Sequence, residues 1–252
     1  MNTIILTSNL DTYDKLDDDS RLIKPLSNIN GIVDVIKKEV KSYNNFLYIA
    51  SVEDNYEITD FYANIIIESF KKVVPFANYQ VLDGRNIDTA SDLVHAADFI
   101  LLAGGHVPTQ NDFFKHIDLK TKLKDTNAVI CGISAGSMNS AERVYAIPEE
   151  EGEAIDPNYN RFIEGLGLTD INVFPHFNDI RYAMLDGQRV VEDIVSPDSY
   201  NANIVCLMDG SYILQKGDVK EIFGEAYTFV NGNIVRICEN GSSIIYENER
   251  EL

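Results

Sequence analysis

The sequence predicts an α/β fold, a three-layer sandwich around a mainly parallel sheet, with antiparallel strands added towards the C-terminus. Three observations carry this expectation. Short apolar runs recur along the chain, and several are continuous rather than alternating, as in strands covered on both faces. Helical patterns lie between many of them, and strands alternating with helices make βαβ units. Beyond residue 210 the runs are split by Gly217, Gly224 and Asn231-Gly232, and Asn-Gly is a hairpin turn signal.

In chain order, strands are expected at residues 3–6, 45–50, 79–82, 99–103, 128–131, 171–174 and 204–207. Residues 31–42 place Ile32, Val35, Ile36 and Val40 on one stripe. Residues 58–73 repeat Phe61, Ile65, Phe70 and Val73 at helical spacing, and residues 89–97 and 111–124 also fit helices. The later strands are expected at 212–215, 219–223, 227–230 and 233–237. No internal repeat or low-complexity linker interrupts the chain, so residues 1–252 are expected to form a single domain.

The 252 residues suit such a domain, and 45% hydrophobic content is enough for a substantial core. The net charge of −19, from 40 acidic and 21 basic residues, argues against nucleic acid or an anionic membrane as partner. Asp17-Asp18-Asp19 and Glu149-Glu150-Glu151 read as solvated surface. The start, Met1-Asn2-Thr3-Ile4-Ile5-Leu6, has no basic segment followed by a long apolar one. No window approaches the ~20 apolar residues of a membrane helix. Cys131, Cys206 and Cys238 are an odd number without metal-ligand spacing, which reads as reduced, buried thiols. A cytoplasmic location is the expectation.

Ligands of doubly wound sheets bind beyond the carboxyl ends of the strands. Three such ends are chemically loaded: Gly104-Gly105-His106 after residues 99–103, Ser134 after 128–131, and Pro175-His176-Phe177 after 171–174. Gly132-Ile133-Ser134-Ala135-Gly136 reads as strand, sharp turn and helix with a serine at the apex. The glycines remove Cβ atoms that would clash in so tight a turn. A serine hydroxyl needs a base to become a nucleophile. Ala135 begins the helix, so its N–H is free to hold an oxyanion. There is no phosphate loop, dinucleotide fingerprint or metal-ligand spacing, so neither cofactor nor metal is expected.

Four stretches in order, Leu102-Ala103-Gly104-Gly105, Gly132 to Ser137, Pro175-His176-Phe177 and Leu207-Met208-Asp209-Gly210, resemble the serine peptidase family that contains peptidase E (aspartyl dipeptidase) and cyanophycinase. The order serine, histidine, acid differs from the serine, acid, histidine order of α/β-hydrolases. The resemblance implies a fold like that of class I glutamine amidotransferases and a serine-type peptidase acting on short peptides, with an N-terminal aspartate as one candidate. It implies Ser134 as nucleophile, His176 as general base, and N–H groups of Gly105 and Ala135 as the oxyanion hole. The third member is expected at Asp209, where peptidase E has a glutamate. Aspartate is one methylene shorter and must approach more closely to orient the imidazole. Glu151 and Glu153 are the alternative acids. The bland reading of Asp209-Gly210 is a type I′ turn joining 204–207 to 212–215.

His106 is expected to line the pocket, and His95 and His116 to be surface or packing residues on helices. Recognition of an acidic residue needs a cation, for which Arg181 and Arg189 are the candidates. The acidic stretch 149–156 is placed to cover the site. Cys131, three residues before the serine, reads as a small buried hydrophobe. Two other readings are open: a catalytically silent glutamine amidotransferase-like binding protein, and a cyanophycinase-like isopeptide hydrolase.

Overall fold

The computed structural model describes residues 3–247. Residues 1–2 and 248–252, the ends of the expected domain, lie outside the described residues. Eight strands form the central sheet, in the order Ser243–Ile245, Val219–Phe223, Tyr212–Lys216, Thr3–Thr7, Val129–Ile133, Phe99–Leu102, Asn45–Ile49 and Asn78–Leu82. From Thr3–Thr7 to Asn78–Leu82 the strands run parallel. The remaining strands are antiparallel additions.

Side chains alternate between the faces, as the two-residue period of a strand requires. Ile4, Leu6, Leu47, Ile49, Ile100 and Ile130 pack with Val94, Phe113 and Phe114 of helices Ala90–Ala96 and Val107–His116. Ile5, Phe46, Tyr48, Leu101 and Cys131 face the other way, against Ile36, Ile66 and Phe70 of helices Ile32–Glu39 and Tyr56–Lys71. The three layers expected from the sequence are therefore present.

Two expectations are corrected. The helix expected over 111–124 begins at Val107, where Pro108 suits a first turn that has no use for its N–H. It ends at His116, because Asp118 turns left-handed (φ 48°) before the short helix Leu119–Lys122. The C-terminal strands, expected as one addition, divide between two sheets. Ala226–Val230 and Asn233–Cys238 join Asn172–Phe174 and Ile204–Leu207 in a separate four-stranded sheet. The physical reason is that this second sheet is apolar on both faces. Val173, Val205 and Leu207 pack into the central core, whereas Phe174, Ile204 and Cys206 pack with Val190, Val191 and Val195 in a third cluster.

The N-terminal strand lies at the centre of the main sheet, and its last residue fastens the serine turn. Thr7 N–H donates to Ser137 Oγ (2.9 Å), and that hydroxyl donates back to Thr7 O (2.8 Å). Thr7 Oγ1 also donates to Gly132 O (2.8 Å). All of this is buried. Ser137→Ala leaves the Thr7 N–H buried without its acceptor, so urea denaturation is expected to show a loss of about 1–3 kcal/mol. An unchanged midpoint would mean that the hydroxyl does not fasten the turn.

Candidate active site

Ser134 follows the strand Val129–Ile133 directly, at φ 49° and ψ −113°. An L residue takes such angles only where the surroundings impose them. Here the Ser134 N–H is held by Thr7 O (3.1 Å). A Cβ on Gly132 would lie 2.6 Å from Ser137 N, and one on Gly136 would run into the Leu102 carbonyl oxygen. Both glycines are thus required by close approach. Ala135 opens the helix Ala135–Met138, so its N–H has no acceptor within the helix. A Cβ on Gly105 would come within 2.6 Å of Ser51 Cβ and Oγ. The loop carrying Gly105 is pinned by buried amides: Gln110 Nε2 donates to Ala103 O (2.7 Å), and Asn139 Nδ2 to Gln110 Oε1 (3.0 Å) and Val107 O (3.0 Å).

His176 stands two residues past the strand Asn172–Phe174, in a left-handed turn (φ 52°). Asp209 stands two residues past Ile204–Leu207, and these strands are parallel neighbours with Phe174 opposite Cys206. The register therefore brings His176 and Asp209 side by side, with His176 Nδ1 2.9 Å from Asp209 Oδ1. A carboxylate only accepts, which assigns the proton to Nδ1 and leaves Nε2 free to take one. Ser8 ties the pair together: its hydroxyl donates to Asp209 Oδ1 (2.7 Å) and accepts from His176 N–H (2.7 Å). Asn178 completes the support, accepting from Asp209 N–H (3.1 Å) and reaching Asp209 Oδ2 (3.4 Å). Burial pushes the Asp209 carboxyl up, but the hydrogen bonds from His176, Ser8 and Asn178 outweigh it and hold the group below the ordinary aspartate value. The shorter side chain thus spans the gap.

The turn at Asp209 is not the type I′ hairpin of the bland reading. Ser211 N–H closes it on Met208 O (3.0 Å), and only Gly210 of its central pair has positive φ (84°). A type I′ turn needs positive φ at both. The strands on either side belong to different sheets, so the turn is a crossing between them.

Other candidates fall elsewhere. Glu151 is exposed, and no hydrogen bond joins it to His176. Glu153 meets His106 Nε2 (3.0 Å) and accepts from the N–H groups of Glu149 (2.8 Å) and Glu150 (3.0 Å). His106, Glu150 and Glu153 are close enough to share an ion, and Glu153 divides its oxygens between His106 and the N–H groups of its own loop. Arg189 pairs with Asp193 (2.6 Å). Arg181 lies over the rings of Phe177 (5.7 Å), Tyr182 (5.4 Å) and Tyr227 (5.4 Å). His116 meets Glu53 and His95 bonds Ser91 on their helices. Cys131 is fully buried, and burial pushes its thiol up to about 12, so it remains a protonated hydrophobe.

Glu149 is exposed at the start of the acidic loop, within electrostatic range of both His106 and His176. Its carboxyl is pushed up to about 7, first by desolvation and then by Glu153, against the opposing pull of the histidines. A raised carboxyl value means that ionisation opposes folding. The destabilisation is absent below the ordinary glutamate value of ~4.3 and grows as pH rises to about 7. Glu149→Gln is therefore expected to raise Tm at pH 8 while matching the parent at pH 4. Equal curves at both pH values would remove the effect.

Ser134, Gly104, Gly105 and His176 share a cavity of roughly 360 Å³. The hydroxyl of Ser134 does not bond His176 in this state, and such bonds often tighten only around substrate. A serine turn and an imidazole with its acceptor nitrogen free, beside one cavity, are what acyl transfer requires. The sequence reading missed Thr7, Ser8 and Asn178. The strand-end rule applied to the first strand would have found Thr7-Ser8, which closes that strand as the other three elbows close theirs.

The sequence matches the model of peptidase family S51 over residues 31–223. No curated protein matches it. Among solved structures, a peptidase from an acI-B1 actinobacterium is similar at 14% identity, covering 98% of this chain and 97% of that one with a TM-score of 0.69. A Listeria monocytogenes EGD-e protein designated a peptidase E is similar at 15% identity, covering 94% of this chain and 100% of that one with a TM-score of 0.59. At these identities the likeness is one of fold. Among the described residues, no helix is long and apolar enough to cross a membrane.

Proposed function

The chain belongs to peptidase family S51 and is a serine-type peptidase, and on that premise we propose that a single domain over residues 1–252 hydrolyses short peptides with Ser134 as nucleophile, His176 as general base and Asp209 as the acid that orients it. The observation carrying this reading is the 2.9 Å bond from His176 Nδ1 to Asp209 Oδ1, made beside a cavity that His176 shares with Ser134. Substrate binding brings the peptide carbonyl carbon to Ser134 Oγ. His176 Nε2 takes the hydroxyl proton as the carbon–oxygen bond forms, and Asp209 stabilises the resulting imidazolium. The carbonyl oxygen becomes an oxyanion between the N–H groups of Gly105 and Ala135. Collapse breaks the carbon–nitrogen bond while His176 returns the proton to the leaving amine. Water, deprotonated by the same imidazole, then releases the acyl group from Ser134.

The arrangement supports turnover rather than a silent binding protein, because Asp209 holds His176 through Nδ1 and leaves Nε2 free beside the cavity that Ser134 shares. Labelling with a fluorophosphonate, followed by peptide mapping, tests it. The adduct is expected on Ser134 in the folded protein and is expected to vanish in His176→Ala. An adduct on another serine, or none in a preparation that cleaves dipeptides, would refute the assignment.

A further inference from the structure

The cavity beside Ser134 is built for an uncharged side chain. None of its lining residues is Lys, Arg, Asp or Glu. Leu10, Val52, Ile65 and Ile66 supply apolar wall, and Ile58 and Tyr62, 47% and 40% exposed, extend that character to the rim. The interior also carries Tyr48, Thr12 and Thr59, all buried. None of their hydroxyls forms a hydrogen bond to another described residue, so each can meet a neutral polar tip but not neutralise a charge.

The nearby arginines stand outside the lining, and of them only Arg21, which has no carboxylate partner among the described residues and a buried Nε without a hydrogen bond, borders it. Arg21 lies outside the lining, over the rings of Tyr13 (5.0 Å), Phe61 (5.1 Å) and Tyr62 (5.4 Å). Arg181 and Arg189 are held by rings and by Asp193, as described, and neither lines the cavity. An acidic side chain entering here would lose its hydration among lining residues of which none but His176 can carry a positive charge. A large apolar one would gain roughly what its buried area is worth.

We propose that this cavity receives the side chain of the residue whose carbonyl Ser134 attacks, and that it selects large uncharged residues, aromatic ones foremost, instead of the aspartate implied by the family resemblance. The acyl residue is the occupant because its carbonyl is attached to Ser134 and faces Gly105, and both line this cavity. The inference rests on the proposed role of Ser134.

Steady-state hydrolysis of X-Ala dipeptides, with X as Phe, Tyr, Leu, Asp or Lys, tests it alongside fluorophosphonate labelling. Phe, Tyr and Leu are expected to exceed Asp and Lys in kcat/KM by on the order of 100-fold. Ile58→Arg, at a rim position that tolerates charge, is expected to raise the Asp-to-Phe ratio at least about tenfold. Ser134 that labels in an enzyme preferring Asp-Ala or Lys-Ala would overturn the specificity and leave the nucleophile standing. Equal rates across the five X residues, or an unchanged ratio in Ile58→Arg, would also overturn it. Unlabelled Ser134 with no dipeptide cleaved would remove both claims.

Discussion

Ser134→Ala is expected to lower kcat by on the order of 10⁴ or more, while its circular dichroism and denaturation midpoint stay those of the parent. The loss is large because the covalent acyl intermediate of the proposed mechanism forms on Ser134. Cys131 is fully buried in the strand with its thiol held protonated, so it cannot substitute. Stability stays because the removed hydroxyl has no hydrogen-bond partner among the described residues and alanine keeps the backbone angles of the turn. Ser134→Gly separates function from strain. At φ 49° and ψ −113° a Cβ is disfavoured, so glycine is expected to raise stability by about 1 kcal/mol while remaining inactive. Retained turnover in Ser134→Ala would end the nucleophile assignment. Equal stability of the Ala and Gly variants would mean that the turn is unstrained.

How much of this was legible in the sequence follows from what each feature depends on. The parallel strands were readable because they are buried on both faces and so appear as continuous apolar runs, as in Phe99–Leu102 and Val129–Ile133. Ser134, Gly105 and His176 were readable because each sits where such a run stops at a glycine or proline. The division of the C-terminal strands was not readable, since pairing partners are chosen by tertiary packing: Ala226–Val230 pairs with Ile204–Leu207, distant in the chain. The helix break at Asp118 depends on one left-handed residue within an otherwise helical pattern. Specificity was least legible. Arg181 and Arg189 look alike as free cations until their ring and carboxylate partners are seen. The apolar cavity, in turn, is assembled from the segment after Thr3–Thr7, the loop after Asn45–Ile49, and the helix Tyr56–Lys71.

Asp209→Asn is expected to lower kcat by on the order of 10³, with KM little changed. The amide oxygen can still accept from Ser8 and from His176 Nδ1, so the imidazole keeps its place. What disappears is the negative charge that stabilises the imidazolium formed when Ser134 gives up its proton. Asp209→Ala removes the anchor as well, freeing the Ser8 hydroxyl and the ring together, and is expected to cost about tenfold more. The pH dependence distinguishes an orienting acid from a structural one. Because the Asp209 carboxyl is held below its ordinary value, its contribution to stability is complete above the unfolded value of ~3.9 and fades as pH falls through the lower folded value. The stability difference between parent and Asp209→Asn should therefore be constant from pH 5 upwards and shrink below ~4. The kcat difference should persist across the whole range in which the enzyme turns over. Glu153→Gln is the control, since Glu153 meets His106 and the N–H groups of its own loop but not His176. It should leave kcat within a few-fold of the parent. If Glu153→Gln fell as far as Asp209→Asn, the acid of the mechanism would lie in the 149–156 loop, and the His176–Asp209 bond would be only a support for the strand ends.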